Sequence, residues 1–336
     1  MNNYTSSLES SHFPVMLNEV IKISSPSKGG VYIDCTFGAG GYSKQLLKFS
    51  KTKVKGLDRD SKVKEIGIKL EKSYPLRFKF HQTTFSQINT VTKDLVDVII
   101  FDLGLSSIQL NDLGRGFSFK SNENLDMSMG LNEISAHDVV NEASELELKL
   151  IIKILGEEKE AARIAKNIVK YRNIGKIIKV QDLVNIIEKS KRKNYSSKIN
   201  PCTKTFQALR IFVNKEITEL INGIINATKI LKPGGKLLIV SFHSIEDKIV
   251  KYFFSNFSSN KSKPSRYLPE QDDGAIALFN EYKNKVLKPS KKEIFQNSRS
   301  RSAKLRYAIR SKNKFSYPHE LIEKFNRYLD LEGINV

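Results

Sequence analysis

Three aspartates follow short apolar runs and could together bind a cation. Asp34 ends VYID, Asp58 ends KVKGLD and Asp102 ends VDVIIFD. Such runs predict buried strands, and the carboxyl ends of parallel strands meet at one edge of a sheet, where the ligands of open α/β sheets bind. Carboxylates gathered there need a positive charge to offset the cost of burying them. The pattern therefore predicts a site for a positively charged small molecule.

A glycine-rich turn follows the first of these aspartates. Dinucleotide-binding turns read G-x-G-x-x-G, whereas this one reads Gly38-Ala39-Gly40-Gly41 and lacks the third glycine inside the helix. Asp58 lies 18 residues after Gly40, where a carboxylate can accept hydrogen bonds from both hydroxyls of an adenosine ribose. These features suit an adenosine ligand without a pyrophosphate, and S-adenosylmethionine, which carries a positive sulfonium, is the expected cofactor. A tight turn without a ligand and a site for NAD are the alternatives.

The elements that must position these residues alternate between strand and helix patterns. Apolar or β-branched runs predict strands at 31–37, 53–58, 76–81, 96–102, 236–242 and 303–310. Helical patterns separate the first three strands, over Ser43–Phe49 and Ser61–Ser73. The run DVIIFD is apolar on both faces, as a central strand of a parallel sheet must be. The alternation predicts an α/β fold with a doubly wound parallel sheet.

A helical region interrupts this alternation. Residues 135–193 have helical spacing without a convincing strand, and Ser135 with Asp138 and Ser144 with Glu147 are spaced as capping boxes. The alternation resumes with one long helical pattern from Phe206 to Ile230. We therefore predict a discontinuous sheet domain, residues 1–109 and 206–336, and an all-helical insertion, residues 110–205.

Charge and cysteine usage restrict the partners and the compartment. The net charge is +20, from 56 Lys and Arg against 36 Asp and Glu, which predicts a polyanionic partner such as nucleic acid. Cys35 and Cys202 are far apart and no Cys/His spacing indicates a ligand set, so neither a disulfide nor a metal is expected. No secretory pattern opens the sequence and no apolar run reaches the ~18 residues of a membrane span, so we expect a cytoplasmic protein. The sequence leaves a homodimer open.

Eight blocks follow one another in order between residues 12 and 310. They are HFPVML, DCTFGAGGYS, GLDRD, FDLGLSSIQLNDLGRGFSF, LDMSM, TFQALRIFVNKE, KPGGKLLIVSFHSIEDKIVK and NSRSRSAKLR. Together they resemble the bacterial 16S ribosomal RNA cytosine-N4 methyltransferase family. The resemblance implies a class I, Rossmann-like methyltransferase sheet with an inserted helical domain. It also implies S-adenosylmethionine as methyl donor and cytosine 1402 of 16S rRNA, in the decoding centre of the small ribosomal subunit, as target.

The resemblance also implies site residues. Carried over motif by motif, the cofactor-binding residues would be Gly40, Gly41, Tyr42, Asp58, Phe85, Asp102 and Gln109. The sequence departs from the family pattern in three places. Tyr42 stands where the family usually has His, Ser128 stands where it usually has Arg, and the family block SSPQLD reads SSIQLN over residues 106–111. The contact at position 42 can be made by the backbone, so we keep Tyr42 in the set.

Two residues are candidates for the chemistry. Asp102 could accept a hydrogen bond from the amino group of the target cytosine, or it could instead hold the cofactor. His243, after the fifth predicted strand, could bind the base or the RNA backbone, although a lone His is more often structural. The predicted RNA contacts, each with plain packing or a solvated surface as its alternative, are Arg115, Phe117, Phe119, Lys191–Lys193, Arg299, Arg301, Lys304 and Arg306.

Other functions remain open at this point. A cytosine-C5 methyltransferase needs a thiolate nucleophile, and Pro201-Cys202 supplies a Pro-Cys pair, although far from the fourth strand. A non-catalytic rRNA-binding or ribosome assembly factor that keeps a methyltransferase fold is the second alternative. An NAD-dependent enzyme is the third, and the missing third glycine disfavours it.

Overall fold

The computed structural model describes residues 14–192, 200–260 and 276–336. The chain forms two compact units, each made of two separate stretches. The first combines Met1–Gly104 with Leu220–Ile322, and the second combines Leu105–Glu219 with Glu323–Val336. The boundaries predicted near residues 109 and 206 stay a proposal. Among the helices of the described ranges, none is both long and apolar enough to cross a bilayer.

A six-stranded sheet forms the centre of the first unit. Its strands are β1 (Gly30–Asp34), β2 (Thr52–Asp58), β3 (Phe78–Gln82), β4 (Val96–Asp102), β5 (Leu231–Ser241) and β6 (Lys304–Ile309). They lie in the order β3-β2-β1-β4-β5-β6, and every pair is parallel except β5 with β6. The order reverses between β1 and β4, which is the switch point at which such sheets bind ligands. The predicted α/β fold is confirmed.

Helices connect the strands and build the second unit. In chain order they are α1 (Leu17–Ser24), α2 (Gly41–Leu47), α3 (Lys64–Ser73), α4 (Ile88–Val91), α5 (Ser107–Asn111), α6 (Ala136–Glu142), α7 (Glu145–Ile154), α8 (Ala161–Arg172), α9 (Val180–Ser190), α10 (Thr203–Asn214), α11 (Glu216–Ile230), α12 (Ser244–Asn256), α13 (Lys291–Gln296) and α14 (His319–Glu332). The first unit holds α1 to α4, α12 and α13, whereas α5 to α10 belong to the second.

Burial explains the arrangement of the sheet. Five of the seven β4 side chains are buried, including the run Val98–Phe101, so β4 must be covered on both faces. The sequence pattern showed no helix between β3 and β4, but a 3₁₀ turn, Phe85–Gln87, and the four-residue α4 lie there. Two parallel strands need such a crossover, and this one is too short to give a clear helical period.

In the second unit, the capping boxes are confirmed and one helix boundary was missed. The Ser135 side chain accepts from the backbone N–H of Asp138, and the Ser144 side chain accepts from that of Glu147. The pattern from 206 to 230, predicted as one helix, is divided at Lys215, which has a left-handed φ of 48°. Glu332 of α14 then accepts from the backbone N–H groups of Ile217, at 3.0 Å, and Thr218, at 2.7 Å, in the first turn of α11. This cap comes from more than 100 residues away, so no local signal predicts it.

Candidate active site at the carboxyl edge of the sheet

The three aspartates of the sequence pattern lie at the same edge of the sheet. Asp34, Asp58 and Asp102 are the last residues of β1, β2 and β4. In the strand registers, Asp34 pairs with Gly56 on one side and Ile100 on the other, so the other two aspartates lie two residues beyond it. The negative charge of Asp34 raises the pKa of both neighbours, which confirms that the three groups interact. The acids therefore converge at the switch point, as the sequence predicted.

Asp34 stabilises the glycine turn through hydrogen bonds to residues on either side of it. Its side chain is fully buried and accepts a 2.7 Å hydrogen bond from the Ser43 hydroxyl and a longer one from the backbone N–H of Thr36. Burial raises the pKa of Asp34 to about 6, although these hydrogen bonds act in the opposite direction. Because the carboxylate is fully buried, Asp34 can act on a ligand only through its charge and through the shape of the turn.

The glycine turn is folded so tightly that side chains would not fit. Gly40 has a left-handed φ of 77°, and a Cβ added there would lie 2.9 Å from the ring of Phe37. A Cβ on Gly41 would lie 2.2 Å from Cγ of Pro14. The backbone is therefore bare where α2 begins, and glycine is required at both positions.

Asp58 ties this turn to the second strand. Its carboxylate accepts from the backbone N–H of Gly38, at 2.8 Å, and from that of Asp60, at 2.9 Å. Burial raises the pKa of Asp58 to about 6, and the same two hydrogen bonds lower it in part. A carboxylate has about four acceptor positions, so two remain for ligand hydroxyls. Asp58 can therefore shape the turn and bind a ribose at the same time.

Asp102 carries the unsatisfied acceptor of the site. Its Oδ1 atom is buried and has no hydrogen-bond partner among the residues that the structure describes. Its backbone N–H donates to the Thr36 hydroxyl at 2.8 Å, which fixes the end of β4. Burial, followed by the charges of Asp34 and Glu246, raises the pKa of Asp102 well above its ordinary value. A buried carboxyl oxygen without a partner calls for a donor or a cation from a ligand.

Tyr42 lies against Asp102 and is buried. Its hydroxyl donates to the carbonyl of Val15 and also interacts with the Asp102 carboxyl, whose pKa it lowers. Burial, with the charge of Asp102 second, raises the pKa of Tyr42 well above 10. The phenol ring is thus part of the wall, and only the backbone of Tyr42 borders the turn.

Phe85 forms an apolar wall after β3. Its ring packs edge-on against Phe101 of β4, with ring centroids 5.3 Å apart. Gly223 makes room for it, because a Cβ there would lie 2.7 Å from the Phe85 ring. The ring is partly exposed, so one surface remains for a ligand.

His243 and Glu246 follow β5, the neighbour of β4. The His243 Nδ1 atom accepts from the backbone N–H of Glu246, and Nε2 lies 3.1 Å from Glu246 Oε1 without the alignment of a hydrogen bond. Glu246 also accepts from the backbone N–H groups of Phe242 and His243, at 2.8 and 3.2 Å. This capping box orients the imidazole, and the Glu246 charge contributes to the raised pKa of Asp102. His243 is thus oriented by Glu246, a residue whose charge also acts on Asp102 and which the sequence did not single out.

Gln109 belongs to the second unit. It is buried in the first turn of α5, and its Oε1 atom accepts from the backbone N–H of Ser106 at 2.9 Å in a capping box. Its predicted contact with the cofactor stays a proposal.

Comparison with known proteins decides the family. The model of the MraW methylase family matches residues 9–311. The chain belongs to the MraW methylase family. Among curated relatives, "Ribosomal RNA small subunit methyltransferase H" of Bartonella bacilliformis is 44% identical over 89% of this chain and 90% of that protein. The proteins of the same name from Rickettsia africae and Ehrlichia canis are 45% and 41% identical, over 89% of this chain and 97% and 99% of theirs.

The family assignment made from the eight sequence blocks is therefore confirmed, and with it a methyltransferase that uses S-adenosylmethionine. The residues present fit this cofactor. Its positive charge suits the three acids, and the orphaned Oδ1 of Asp102 needs a partner. Which of these side chains touch the cofactor stays a proposal.

Within this methylase, Cys202 does not fit the role of a nucleophile. It is fully buried at the start of α10, and burial raises the pKa of its thiol to about 11. A thiol that attacks a pyrimidine must be exposed and easily ionised, which requires the opposite environment. The geometry therefore disfavours the C5 alternative.

Several predicted RNA contacts have partners inside the fold. Arg115 is buried, donates to the carbonyl of Ser128 at 2.6 Å and lies over the ring of Phe117. Arg306 and Lys304 both pair with Asp247, at 2.7 and 2.8 Å. Two other predicted RNA-binding residues also have internal partners. The Phe119 ring packs edge-on against Phe206, and Lys191 forms a 2.6 Å ion pair with Glu158. Lys193 lies outside the described residues. Arg299 and Arg301 are exposed.

Glu293 is a site residue that the sequence analysis missed. Its carboxylate accepts a 2.7 Å hydrogen bond from the backbone N–H of Met16, and its charge raises the pKa values of Tyr42 and Asp102. The signal was present, because Ser290 caps α13 and Glu293 stands three residues later, as a capping box requires. It was overlooked in a stretch whose composition is otherwise Ser-, Lys- and Asn-rich.

Proposed function

We propose that this chain methylates the N4 amino group of a cytosine in small-subunit rRNA, cytosine 1402 of the decoding centre, in the cytoplasm. The names of the relatives support an rRNA substrate, and the net charge of +20 supports a polyanionic one. The observation that carries the chemistry is the buried, unpartnered Oδ1 of Asp102. A cytosine amino group offers the N–H donor that this oxygen lacks.

The cofactor would be held by the residues around the glycine turn. We assign Asp58 to the ribose hydroxyls, Phe85 to the adenine face, and the backbone of Gly40, Gly41 and Tyr42 to the remaining polar groups. Bound S-adenosylmethionine supplies a methyl group that is already activated by its sulfonium. The protein then contributes mainly alignment, which can supply several kcal/mol of the barrier.

Asp102 is the proposed proton acceptor. Its carboxylate accepts a hydrogen bond from cytosine N4–H, which directs the nitrogen lone pair towards the methyl group. The bond between the methyl carbon and the sulfonium sulfur would break as the N–C bond forms, so that the sulfur becomes a neutral thioether and the nitrogen becomes cationic. Asp102 then takes up the proton that leaves this nitrogen. A positioned base contributes about 10²- to 10⁴-fold.

The raised pKa of Asp102 makes this step depend on the cofactor. In the free protein, burial and the neighbouring acids favour the protonated carboxyl, which cannot accept a proton. A cation beside Asp102 stabilises the carboxylate and lowers its pKa. A filled cofactor site therefore favours the form of Asp102 that can accept a proton. His243 is assigned to the base or RNA backbone, oriented for that contact by Glu246.

The test is product mapping with matched variants. Small-subunit rRNA from cells that lack the gene is incubated with S-adenosylmethionine and each protein, and modified nucleosides are located by mass spectrometry. The wild type should give N4-methylcytosine at one position, and Asp102→Asn should lose at least 100-fold in rate, roughly the contribution of a positioned base. Asp94→Asn, which makes the same change at an exposed position before the other end of β4, should stay within about twofold. Cofactor binding without any product would instead favour the non-catalytic assembly factor.

A further inference from the structure

The outer face of α13 combines cations with one exposed aromatic ring. Lys291, Lys292 and Phe295 lie within one helical turn of each other, because residues three and four apart share a helix face. Phe295 is 92% exposed, the largest exposed fraction among the large apolar side chains of the described ranges. Both lysines are exposed as well, and so is Arg301 in the 3₁₀ segment Ser298–Ser302. We refer to Lys291, Lys292, Phe295 and Arg301 as the α13 surface.

This surface is strongly basic. The stretch from Lys283 to Arg301 contains seven Lys and Arg but a single acid, Glu293. Glu293 points away from the exposed face, since it is partly buried and bonded to Met16. The inner side of α13 thus faces the Asp102 site, and its outer side presents cations and an aromatic ring to solvent.

The segment is anchored on both sides. Leu287 and Leu305 exchange two backbone hydrogen bonds, at 3.0 and 2.9 Å, and the Ser290 side chain caps α13. After the helix, Asn297 accepts from the backbone N–H of Arg299, and the buried Ser300 donates to the carbonyl of Asn297. The exposed side chains are therefore carried on a fixed backbone, which lowers the entropy cost of binding.

We infer that the α13 surface binds the single-stranded RNA next to the target nucleotide, with Phe295 stacked on a base and Lys291, Lys292 and Arg301 against phosphates. This inference rests on the proposed function for the substrate class. Stacking on an aromatic ring within a basic surface is how proteins hold unpaired nucleotides. A membrane surface would require a wider apolar face, but Phe295 is the one large apolar side chain on the exposed side of this short helix.

The experiment measures RNA affinity of the full chain at several salt concentrations, by fluorescence anisotropy with a labelled single-stranded oligonucleotide. Phe295→Ala should weaken binding by about 5- to 100-fold and leave the salt dependence unchanged, because a stacking interaction carries no charge. Phe295→Tyr should bind like the wild type. The double variant Lys291→Ala/Lys292→Ala should lower the slope of log K against log salt by about 0.7 for each phosphate that the protein no longer neutralises.

Matched controls lie near the opposite edge of the sheet. Leu76, just before β3, is 89% exposed, and Lys69 and Lys72 of α3 are exposed nearby. Leu76→Ala and Lys69→Ala/Lys72→Ala should change neither affinity nor slope. Thermal unfolding and S-adenosylmethionine titration should be unaffected in every variant, which separates a surface effect from misfolding.

Two results would overturn the inference. One is an RNA affinity of the α13 variants that falls no further than that of the α3 controls. The other is that the α13 substitutions weaken binding of the protein to vesicles of anionic phospholipid but leave its affinity for RNA unchanged. The failure of this inference can be told apart from the failure of the proposed function. If the wild type binds RNA through Phe295 but yields no methylcytosine, the α13 surface is supported and the methylation is refuted. If the wild type methylates normally and the α13 variants bind RNA as it does, the methylation is supported and the α13 surface is refuted.

Discussion

The hydroxyl of Tyr42 lies against the carboxyl group of Asp102 while it donates its proton to the carbonyl of Val15. The interaction with the hydroxyl lowers the pKa of Asp102, whereas burial, the larger influence, and the charges of Asp34, Glu246 and Glu293 raise it. The protonation of the acceptor in the free protein is therefore set by two opposing influences, of which burial is the stronger.

Removing this hydroxyl should shift the pH dependence of catalysis. The Tyr42 hydroxyl lowers the pKa of Asp102, so Tyr42→Phe should move the acidic limb of kcat/KM to higher pH and reduce the rate at pH ~7 about 3- to 10-fold, with recovery at higher pH. Tyr32→Phe is the matched control, because Tyr32 is also buried but its hydroxyl binds backbone carbonyls beyond the other end of β1. An unshifted profile in Tyr42→Phe would show that the hydroxyl does not act on Asp102.

Cofactor binding should release protons near neutral pH. Asp34 and Asp58 have pKa values raised to about 6, and that of Asp102 is raised well above its ordinary value, so a cationic ligand must displace protons from them. We expect the affinity for S-adenosylmethionine to rise with pH between about 5 and 7. Calorimetry in buffers of different ionisation enthalpy counts the protons released, and Asp102→Asn should release fewer. Equal proton release by the variant and the wild type at neutral pH would contradict the proposed state of Asp102.

The pH dependence of the unfolding free energy should have a defined sign because of Asp34. The folded-state pKa of about 6 lies above the unfolded value near 3.8, so the stability associated with this group is complete below pH ~4 and is lost as pH rises through about 6. The loss is about 3 kcal/mol on the scale of ~1.36 kcal/mol for each pKa unit. Urea unfolding of the cofactor-free protein should thus show Asp34→Asn gaining on the wild type by roughly this amount between pH ~4 and pH ~7. A constant difference between the two proteins would refute the assignment.

Two substitutions of Asp58 should distinguish its role in the turn from its role in ligand binding. Asp58→Asn keeps an oxygen for one backbone N–H but sets an amide NH2 group against the other, so it should cost ~1–3 kcal/mol of unfolding free energy. Because the charge is also lost, S-adenosylmethionine should bind about 10- to 100-fold more weakly. Asp58→Ala also leaves the N–H groups of Gly38 and Asp60 without their acceptor, and it should cost a further ~1–3 kcal/mol of unfolding free energy. Titration calorimetry and urea unfolding measure the two effects. Wild-type affinity in Asp58→Asn would remove the ribose assignment.

Local signals in the sequence predicted local features well. The apolar runs gave the ends of β2 and β4 at Asp58 and Asp102, and Ser135 and Ser144 gave their helix starts, because each pattern involves residues close in the chain. The first strand, predicted over 31–37, instead ends three residues earlier, at Asp34. Contacts between distant residues were not predictable in this way. Arg306 reads as part of a basic cluster, but a partner 59 residues away, Asp247, neutralises it.

The same distinction holds within the site. Glu293 reaches Met16 across 277 residues of sequence, and no periodicity records such a contact. His243 lies between these two cases. Its position after β5 was predicted from the sequence, whereas its orientation by Glu246 depends on the geometry of the helix cap. The sequence thus indicated the candidate residues for the chemistry, Asp102 and His243, but not the groups around them.

The strand order has a consequence for how the chain matures. β4 pairs with β5 along its whole length, yet the entire stretch Leu105–Glu219 is synthesised between them. Until Leu231–Ser241 leaves the ribosome, β4 is an open edge whose side chains Val98–Phe101 belong in the core. Exposed apolar edges of this kind promote aggregation of nascent chains. Folding yield in the cell should therefore depend on how quickly the stretch Leu105–Glu219 folds and allows β5 to pair with β4.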